Sequence, residues 1–324
     1  MRRGFVLGKF LPPHNGHVYL CETAKRMCDE LVIVVGSLAS EPIAGEQRVA
    51  WMRELVPGAT VLHLAEELPQ LPHEHPEFWT LWRESLRALV GGRIDRVFSS
   101  DAYGSRLAAE LGATWIPIDP QRATFAISGT EVRTDPMKHW GAIPRCVRAH
   151  YARRVSVFGP ESTGKSTLAV ELARAFETIH VPELARTYLE SRGGVLTRSE
   201  MDVIGEGQIA SEDAAAGDAN RVLVCDTDPL ATVVWCEVMY GEAPAWLREK
   251  AFARRYALTL LCDVDLPWEN DLVRYLPHDR PGFFARCEAM LRAAGRRYTI
   301  IRGSGDARTA LARDAVAALR QETP

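Results

Sequence analysis

The chain has 324 residues, enough for two domains of ordinary size that each contain a core. Its formal net charge of −3 disfavours a dedicated nucleic-acid-binding protein, and no uncharged stretch approaches the length of a membrane span. The seven cysteines are odd in number and never spaced as C-x-x-C, so we expect reduced thiols in a cytoplasmic protein rather than a metal site.

The first half of the sequence alternates between strand patterns and helix patterns. The continuous apolar run over 31–36 is typical of a central parallel strand. Strands are predicted at 4–8, 31–36, 60–65, 95–99 and 114–118, and helices at 45–56, 76–90 and 103–111. The alternation predicts a doubly wound parallel α/β sheet, in which ligands bind at the carboxyl ends of the strands.

The sequence His14-Asn15-Gly16-His17 follows the first predicted strand and begins a helix. Two imidazoles three residues apart can both face one phosphate, and the positive end of the helix favours an anion there. Gly16 lets a ligand approach the backbone. The alternative is a pair of histidines that cap the helix and bind nothing.

A second helix start lies in residues 127–133, Ile-Ser-Gly-Thr-Glu-Val-Arg. Ser128 and Thr130 could cap this helix or bind phosphate, and Arg133 could form two hydrogen bonds to the β- and γ-phosphates. A capping box is the alternative, because Ser128 and Glu131 have the spacing that it requires.

Two tryptophans, Trp79 and Trp82, lie in the predicted helix 76–90. Each offers a flat surface on which a substrate ring could stack. The alternative for each is a place in the core.

The predicted boundary between the domains lies near residue 150. Asp135-Pro136 and Ile143-Pro144 bracket a segment that contains Trp140, and a run of arginines follows. We interpret this run as a solvated face that leads into the next strand. The predicted domains are therefore residues 1–150 and 151–324, on either side of this boundary.

Residues 159–166, Gly-Pro-Glu-Ser-Thr-Gly-Lys-Ser, match the phosphate-binding loop pattern G-x-x-x-x-G-K-[ST] at every required position. The apolar run before the loop and the helical spacing after it give the expected order of strand, loop and helix. Gly159 and Gly164 allow backbone N–H groups to converge on phosphate oxygens, Lys165 reaches the β- and γ-phosphates, and Ser166 helps to hold Mg²⁺. The alternative is a glycine-rich turn before an ordinary helix.

Carboxylates follow the predicted strands of the second half. Glu183 comes after the short strand 179–181, and Asp226 and Asp228 come after the strand 222–225. At the ends of strands beside a phosphate loop, such groups coordinate Mg²⁺ or activate a hydroxyl. We expect Asp226 or Asp228 to face the metal, and Glu183 to accept a proton from a substrate hydroxyl or to bind ribose. Each could instead be a helix cap.

Residues 266–284 mix arginine, proline and aromatic residues before a helix. They resemble the mobile lid of small-molecule kinases, in which Arg274 or Arg280 would close on the transferring phosphate. A strand at 298–302 and a helix from about 306 complete the second domain.

The first half resembles the nucleotidylyltransferase superfamily, through H-x-G-H and I-S-x-T-x-x-R. Over nearly the whole chain, the order of motifs resembles the bifunctional nicotinamide-mononucleotide adenylyltransferase and ribosylnicotinamide kinase, the NadR family. The matching stretches are 8–20, Arg48 with Trp51, 78–82, 126–133, the join from Trp140 to Pro144, 159–168, 226–228 and 267–274.

The resemblance implies phosphorylation of nicotinamide riboside, then adenylyl transfer from ATP to the mononucleotide (NMN), which yields NAD and pyrophosphate, with Mg²⁺ and ATP at both sites. The implied catalytic residues are His14, His17, Lys165, Glu183 and Asp226. The implied ATP-binding residues of the adenylyltransferase are Gly8, Lys9, Phe10, His14, His17, Ser128, Thr130 and Arg133. Those of the kinase are Gly159, Glu161, Ser162, Thr163, Gly164, Lys165, Ser166, Thr167 and Arg280. The implied substrate-binding residues are Trp79, Trp82, Arg186, Asp228, Trp268 and Arg274, and the implied metal ligands are Ser166 and Asp226.

The sequence departs from the family pattern in three places. Some relatives begin with a DNA-binding helix-turn-helix domain, but here the first catalytic strand starts at residue 4, so we expect no DNA partner. Where some relatives have a tryptophan as a nicotinamide platform this chain has Pro182, so stacking in the kinase would fall to Tyr188, Trp235 or Trp268. Leu272 replaces an expected glycine, which leaves the role of Asp271 open.

The resemblance leaves contact with a riboside transporter and homo-oligomer formation open. Two alternative functions are a nucleotide-sensing regulatory protein with one degenerate site, and a fused adenylyltransferase and nucleoside kinase of other specificity.

Overall fold

The computed structural model describes residues 1–270, 275–276 and 278–319. The chain divides into two compact units, Met1–Val147 and Arg148–Pro324, and each contains a five-stranded parallel sheet. The predicted fold class, α/β with two doubly wound parallel sheets, is confirmed. Among the helices of the described residues, none combines the length and the apolar character that crossing a bilayer requires.

The first unit follows the predicted alternation of strands and helices. Its strands are β1 (Arg3–Gly8), β2 (Glu30–Gly36), β3 (Thr60–Leu64), β4 (Arg96–Ser99) and β5 (Thr114–Pro117). Its helices are α1 (Asn15–Arg26), α2 (Gly45–Leu55), α3 (Phe78–Val90), α4 (Tyr103–Leu111) and α5 (Gly129–Thr134), followed by a single 3-10 turn, Trp140–Ala142. The strand order β3-β2-β1-β4-β5 reverses direction between β1 and β4. Ligands bind α/β sheets at such a switch point, outside the carboxyl ends of the strands.

The second unit repeats this plan with a different strand order, β10-β9-β6-β8-β7. Its strands are β6 (Arg153–Phe158), β7 (His180–Val181), β8 (Val222–Asp226), β9 (Leu258–Cys262) and β10 (Tyr298–Ile301). Helix α6 (Arg145–Tyr151) precedes them, and the remaining helices are α7 (Lys165–Ala175), α8 (Leu184–Ser191), α9 (Glu200–Ala215), a 3-10 turn at Ala216–Asp218, α10 (Pro229–Tyr240), α11 (Ala245–Ala253), α12 (Arg280–Ala293) and α13 (Gly305–Leu319).

Both faces of the first sheet carry a buried apolar cluster. Phe5, Val32 and Val34 belong to the cluster on one face, and Val6 and Ile33 belong to the cluster on the other. Successive side chains of a strand point to opposite faces. Because helices cover both faces, the buried positions of a central strand favour apolar residues on both sides, which explains the continuous run over 31–36.

A fully buried arginine, Arg48 in α2, fixes the ends of two central strands. Its guanidinium pairs with Glu41 at 2.7 Å and donates hydrogen bonds to the carbonyl oxygens of Lys9, at 2.9 Å, and Gly36, at 3.4 Å. Lys9 pairs with the same carboxylate at 2.8 Å. Burial raises the pKa of Glu41, but hydrogen bonds from Lys9, the N–H of Leu38 and Arg48 outweigh this effect and hold it below its ordinary value. Glu41 is therefore a buried carboxylate that depends on its cationic partners.

Replacing Arg48 by methionine should lower the free energy of unfolding by about 3 kcal/mol, because it removes one of the two cationic partners of the Glu41 carboxylate and the guanidinium donor of two carbonyl oxygens. Urea unfolding of the purified protein measures this loss. The matched control is Arg93→Met, since Arg93 is 84% exposed and pairs only at the surface with Asp95. The control should change the stability by less than about 0.5 kcal/mol. Equal effects of the two substitutions would contradict the structural role of Arg48.

Candidate functional sites

A cavity of about 660 Å³ opens at the carboxyl ends of the strands in the first unit. Its walls come from the ends of β1, β2, β3 and β4 and from the starts of α1 and α5. All of the residues predicted in this unit to bind ATP or substrate line it: Gly8, Lys9, Phe10, His14, His17, Trp79, Trp82, Ser128, Thr130 and Arg133. The switch point of the sheet thus brings together side chains from distant parts of the sequence.

His14 and His17 form a stacked pair at the start of α1. Their ring centroids lie 3.7 Å apart, with 25° between the ring planes. His14 is the N-cap residue, and its backbone N–H donates to Nδ1 of His17 at 3.3 Å. Because Nδ1 of His17 accepts a hydrogen bond, the proton of the neutral ring lies on Nε2, which can donate to an anion. The pair therefore caps the helix and keeps a donor available, so capping and ligand binding are compatible.

Both histidines are neutral at physiological pH. Burial and the charge of Arg122 lower the pKa of His14 to about 4. Burial, followed by the neighbouring His14 and by Arg122, lowers the pKa of His17 well below its ordinary value. Nδ1 of His14 is buried and has no hydrogen-bond partner among the described residues. The pair can thus offer hydrogen bonds to phosphate without first carrying a positive charge.

Arg122 is a cationic residue of this cavity that the sequence analysis missed. It lies in a loop whose conformation is fixed by Asp119, because the carboxylate accepts hydrogen bonds from the N–H groups of Ala123 and Thr124 at 2.8 and 2.9 Å. Its guanidinium lies 3.4 Å from Asp101. Asp119-Pro120 is a turn signal, and a basic residue in a turn after a parallel strand was the clue available from the sequence.

The second predicted motif of the first unit is a capping box. Ser128 accepts a hydrogen bond from the N–H of Glu131 at 3.2 Å and donates to its carboxylate at 2.7 Å. Arg133 donates to the carbonyl oxygen of Leu11 and to Thr130. A Cβ at Gly129 would lie 2.8 Å from the same Leu11 oxygen, so only glycine permits this approach. The motif therefore anchors the loop before His14 while its residues line the cavity.

The two tryptophans form one wall of the cavity. Nε1 of Trp82 donates to the carbonyl oxygen of Pro69 at 2.8 Å, which fixes the orientation of the ring. The guanidinium of Arg106 lies 5.7 Å from the ring centroid of Trp79. Both residues are partly exposed. An aromatic ligand can therefore contact a preorganised aromatic surface here.

A second cavity, of about 670 Å³, surrounds the phosphate loop of the second unit. The predicted residues that line it are Gly159, Glu161, Ser162, Thr163, Gly164, Lys165, Ser166, Thr167, Glu183 and Arg186. Gly159 has φ of 131°, and a Cβ there would lie 2.8 Å from the carbonyl oxygen of Cys262. Gly164 has φ of 74° and ends the loop as the N-cap of α7. Nζ of Lys165 donates to the carbonyl oxygen of Pro160 at 2.7 Å.

Two carboxyl groups, Glu183 and Asp226, lie near Lys165. Burial raises the pKa of Glu183 to about 7; the charge of Lys165 opposes this effect and Asp226 adds to it. Burial also raises the pKa of Asp226, against a hydrogen bond from Ser166 and the charge of Lys165. Oδ1 of Asp226 is buried and has no hydrogen-bond partner among the described residues. A hydroxyl and an unpaired carboxylate oxygen fit an oxygen-preferring cation such as Mg²⁺.

Thr227 separates the two aspartates and reverses the chain. Its φ of 65° is in the left-handed region, and it lines the cavity. Because of this turn, Asp228 points into the protein, where it is 1% exposed and accepts a hydrogen bond from the N–H of Leu230 at 2.7 Å. The structure therefore places Asp228 in a capping role for α10, and the substrate contact predicted for it stays a prediction.

Of the remaining predicted residues of this unit, Trp268 and Arg280 are not among the residues that line the cavity. Arg280 donates to the carbonyl oxygens of Ser162, at 3.2 Å, and Leu266, at 2.9 Å, and its guanidinium lies 5.7 Å from the ring centroid of Trp268. It therefore holds the backbone of the phosphate loop, and the direct contact with ATP that was predicted for it stays a prediction. Arg274 and the lid position Asp271 lie outside the described residues.

Of the three aromatic residues considered for stacking, Trp235 lines the second cavity, and it packs on Phe283 with 4.4 Å between ring centroids. Two other residues that line the cavity, Tyr275 and Arg308, were missed. Arg308 in α13 is 4% exposed and donates to the carbonyl oxygen of Thr163 at 2.8 Å. An arginine inside an amphipathic helix carries no local signal of such a role.

Comparisons with known proteins divide the chain at the same place as the motifs. A family model described as cytidylyltransferase-like matches residues 5–135, and one described as AAA domain matches residues 154–308. The chain is 29% identical over 293 residues to the trifunctional NAD biosynthesis/regulator protein NadR of Escherichia coli (strain K12), which covers 84% of this chain and 72% of that protein. It is 33% identical over 134 residues to the nicotinamide-nucleotide adenylyltransferase of Methanoculleus marisnigri, which covers 41% of this chain and 78% of that protein.

Two solved structures share the fold over almost the whole chain. A NadR protein in complex with NR superposes with a TM-score of 0.80 at 22% identity, covering 99% of this chain and 97% of that one. A NadR protein in complex with NAD and AMP-PNP superposes with a TM-score of 0.79 at 23% identity, covering 100% of this chain and 97% of that one. At these identities the likeness is one of fold.

We expect His14 and His17 to remain neutral in the free protein between pH 5.5 and 8, because burial disfavours the imidazolium form. Their Cε1–H signals in NMR spectra should not shift with pH in this range. The variants His14→Gln and His17→Gln identify the two signals, each by its loss. A titration midpoint above pH 6 for either ring would contradict this expectation.

Proposed function

The chain belongs to the NadR family, and on that premise we propose that it is a bifunctional enzyme of NAD salvage. The family predicted from the sequence is thereby confirmed. The enzyme phosphorylates nicotinamide riboside with ATP and then transfers the adenylyl group of ATP to NMN, which gives NAD and pyrophosphate. The observation that carries the proposal is the pair of cavities, one in each unit, lined by an H-x-G-H motif and by a phosphate loop respectively.

We assign adenylyl transfer to residues 1–150 and phosphorylation to residues 151–324. The regulatory alternative requires one degenerate site, but both cavities contain the complete motif. A cytoplasmic location stays a prediction from the cysteine pattern, and contact with a riboside transporter and homo-oligomer formation stay open.

In the first cavity, the phosphate of NMN attacks the α-phosphorus of ATP and pyrophosphate leaves, without a covalent intermediate. The neutral rings of His14 and His17 donate hydrogen bonds to the phosphates, and Lys9, Arg122 and Arg133 supply positive charge around them. Because these groups are fixed by the protein before the reaction, catalysis consists of positioning and of stabilising the developing charge. Trp79 and Trp82 hold the nicotinamide ring at the other end of the cavity.

In the second cavity, backbone N–H groups of the loop 159–166 and the ammonium of Lys165 hold the triphosphate. Glu183 accepts the proton of the riboside hydroxyl, since its pKa near 7 suits a general base at neutral pH. Ser166 and Asp226 would hold Mg²⁺, which neutralises charge on the phosphates when it is bound. Mg²⁺ is usually bound by one or two protein ligands and by substrate phosphates, so a site with these two residues is adequate.

The two activities should be separable by substitution, because each cavity lies within its own unit. Lys165→Ala should abolish phosphorylation of nicotinamide riboside and leave adenylyl transfer to NMN at its original rate. His17→Ala should reduce adenylyl transfer at least about 100-fold and leave phosphorylation intact. Separate assays with riboside and with NMN measure the two rates. Loss of both activities from either substitution would show that the sites are not independent.

The pH dependence of phosphorylation should report the titration of Glu183. Its pKa is raised to about 7, so the carboxylate needed as base is lost as the pH falls through 7. We expect kcat/KM for nicotinamide riboside to fall about tenfold between pH 8 and pH 6. Glu183→Gln should reduce the rate at least about 100-fold and abolish this acidic limb.

The matched control is Glu206→Gln, an exposed carboxylate on α9, which should retain the wild-type profile. An acidic limb that survives in Glu183→Gln would assign the base to another group.

A further inference from the structure

A serine and a histidine form a hydrogen-bonded pair at the edge of the first cavity that the proposed mechanism does not use. Ser37 follows β2 directly, and its Oγ lies 2.7 Å from Nε2 of His63 in β3. A Cβ at Gly45, the first residue of α2, would overlap both side chains. Glycine at this position therefore leaves the room that the pair occupies.

A carboxylate near His63 bears on which atom carries the proton shared with Ser37. Oε1 of Glu46 lies 3.9 Å from Nδ1 of His63. A nearby carboxylate favours the tautomer with its proton on Nδ1, and Nε2 is then an acceptor. In that tautomer the hydroxyl of Ser37 donates its proton to His63. Its oxygen can offer only lone pairs to any other group.

Ser37 lies on the Trp82 side of the first cavity. It lines the first cavity next to Gly36, and a Cβ at Gly36 would lie 3.9 Å from the ring of Trp82. The indole of Trp82 is fixed by its hydrogen bond to Pro69. A flat ring that stacks on Trp82 therefore carries its polar substituent toward a residue that accepts hydrogen bonds and does not donate them.

We propose that Ser37, with its proton held by His63, selects a carboxamide over a carboxylate on the pyridine ring of the mononucleotide. This inference rests on the proposed adenylyl transfer. The N–H group of a carboxamide can donate to the oxygen of Ser37, whereas a carboxylate would face it with a second set of lone pairs. A site built to bond an N–H group discriminates strongly against an analogue that lacks it, because the polar group of the site is then left unpaired. Ser37 contacts the substrate, and His63 is a positioning residue that sets the direction of the hydroxyl.

The test measures adenylyl transfer by the full-length protein to NMN and to the same mononucleotide with a carboxylate in place of the carboxamide. We expect the wild type to prefer the carboxamide. Ser37→Ala should lower kcat/KM for NMN about tenfold, mainly through KM, since the ring is remote from the reacting phosphate.

His63→Leu frees the hydroxyl proton to face the cavity, and it should raise kcat/KM for the carboxylate substrate at least about tenfold. Ser105→Ala, an exposed serine on α4, is the control and should leave the ratio unchanged.

The outcomes separate the inference from the function on which it rests. Failure of the wild type to adenylylate either mononucleotide would overturn the proposed function. Adenylylation of NMN with an equal rate for the carboxylate substrate, or a parallel change for both substrates in the two variants, would overturn the role of Ser37 and His63 alone. If His63→Leu does not fold, Ser37→Ala decides whether Ser37 selects the substrate. The quantity to compare is then the ratio of kcat/KM for NMN to kcat/KM for the carboxylate substrate, in this variant and in the wild type.

Discussion

The constraint on which both sites depend is the pairing of loop carbonyl groups. A loop that directs backbone N–H groups toward a ligand turns carbonyl oxygens into the protein, where each needs a donor. Arginine supplies it in both units. Arg48 and Arg133 bond the carbonyl oxygens of Lys9 and Leu11 before the histidine pair, and Arg308 bonds that of Thr163 in the phosphate loop. A guanidinium can satisfy several carbonyl groups at once, so a single side chain fixes a loop of irregular backbone.

The two cavities prepare for anionic ligands by opposite changes of protonation. Burial keeps His14 and His17 neutral, so the two stacked rings do not repel each other as cations before the ligand arrives. Burial raises the pKa of Glu183 and Asp226, so the second cavity carries less negative charge than its carboxyl groups suggest. In both cases the low-dielectric surroundings disfavour the charged form of the side chain. A bound ligand changes the charge around these groups and therefore their protonation. The same physical effect therefore serves acid–base chemistry in one unit and hydrogen-bond donation in the other.

The sequence predicts the parts of this structure that local pattern determines. Strand runs, the histidine pair and the phosphate loop depend on residues close in sequence, and the parallel sheets then bring those segments to one edge. The roles of Arg122 and Arg308 depend on partners far along the chain, which no local pattern reveals. Asp228 shows a different limit. Residues two apart in a strand share a face, but the turn at Thr227 ends the strand and sends Asp226 and Asp228 in different directions.

That turn also bears on how far this protein could be engineered for robustness. A threonine with positive φ costs on the order of 1 kcal/mol, which glycine at the same position would avoid. What glycine could not supply is the side chain of Thr227, a residue that lines the second cavity. A screen that rewards heat resistance alone would favour the glycine, and it would change the wall of the second cavity without testing the reaction there.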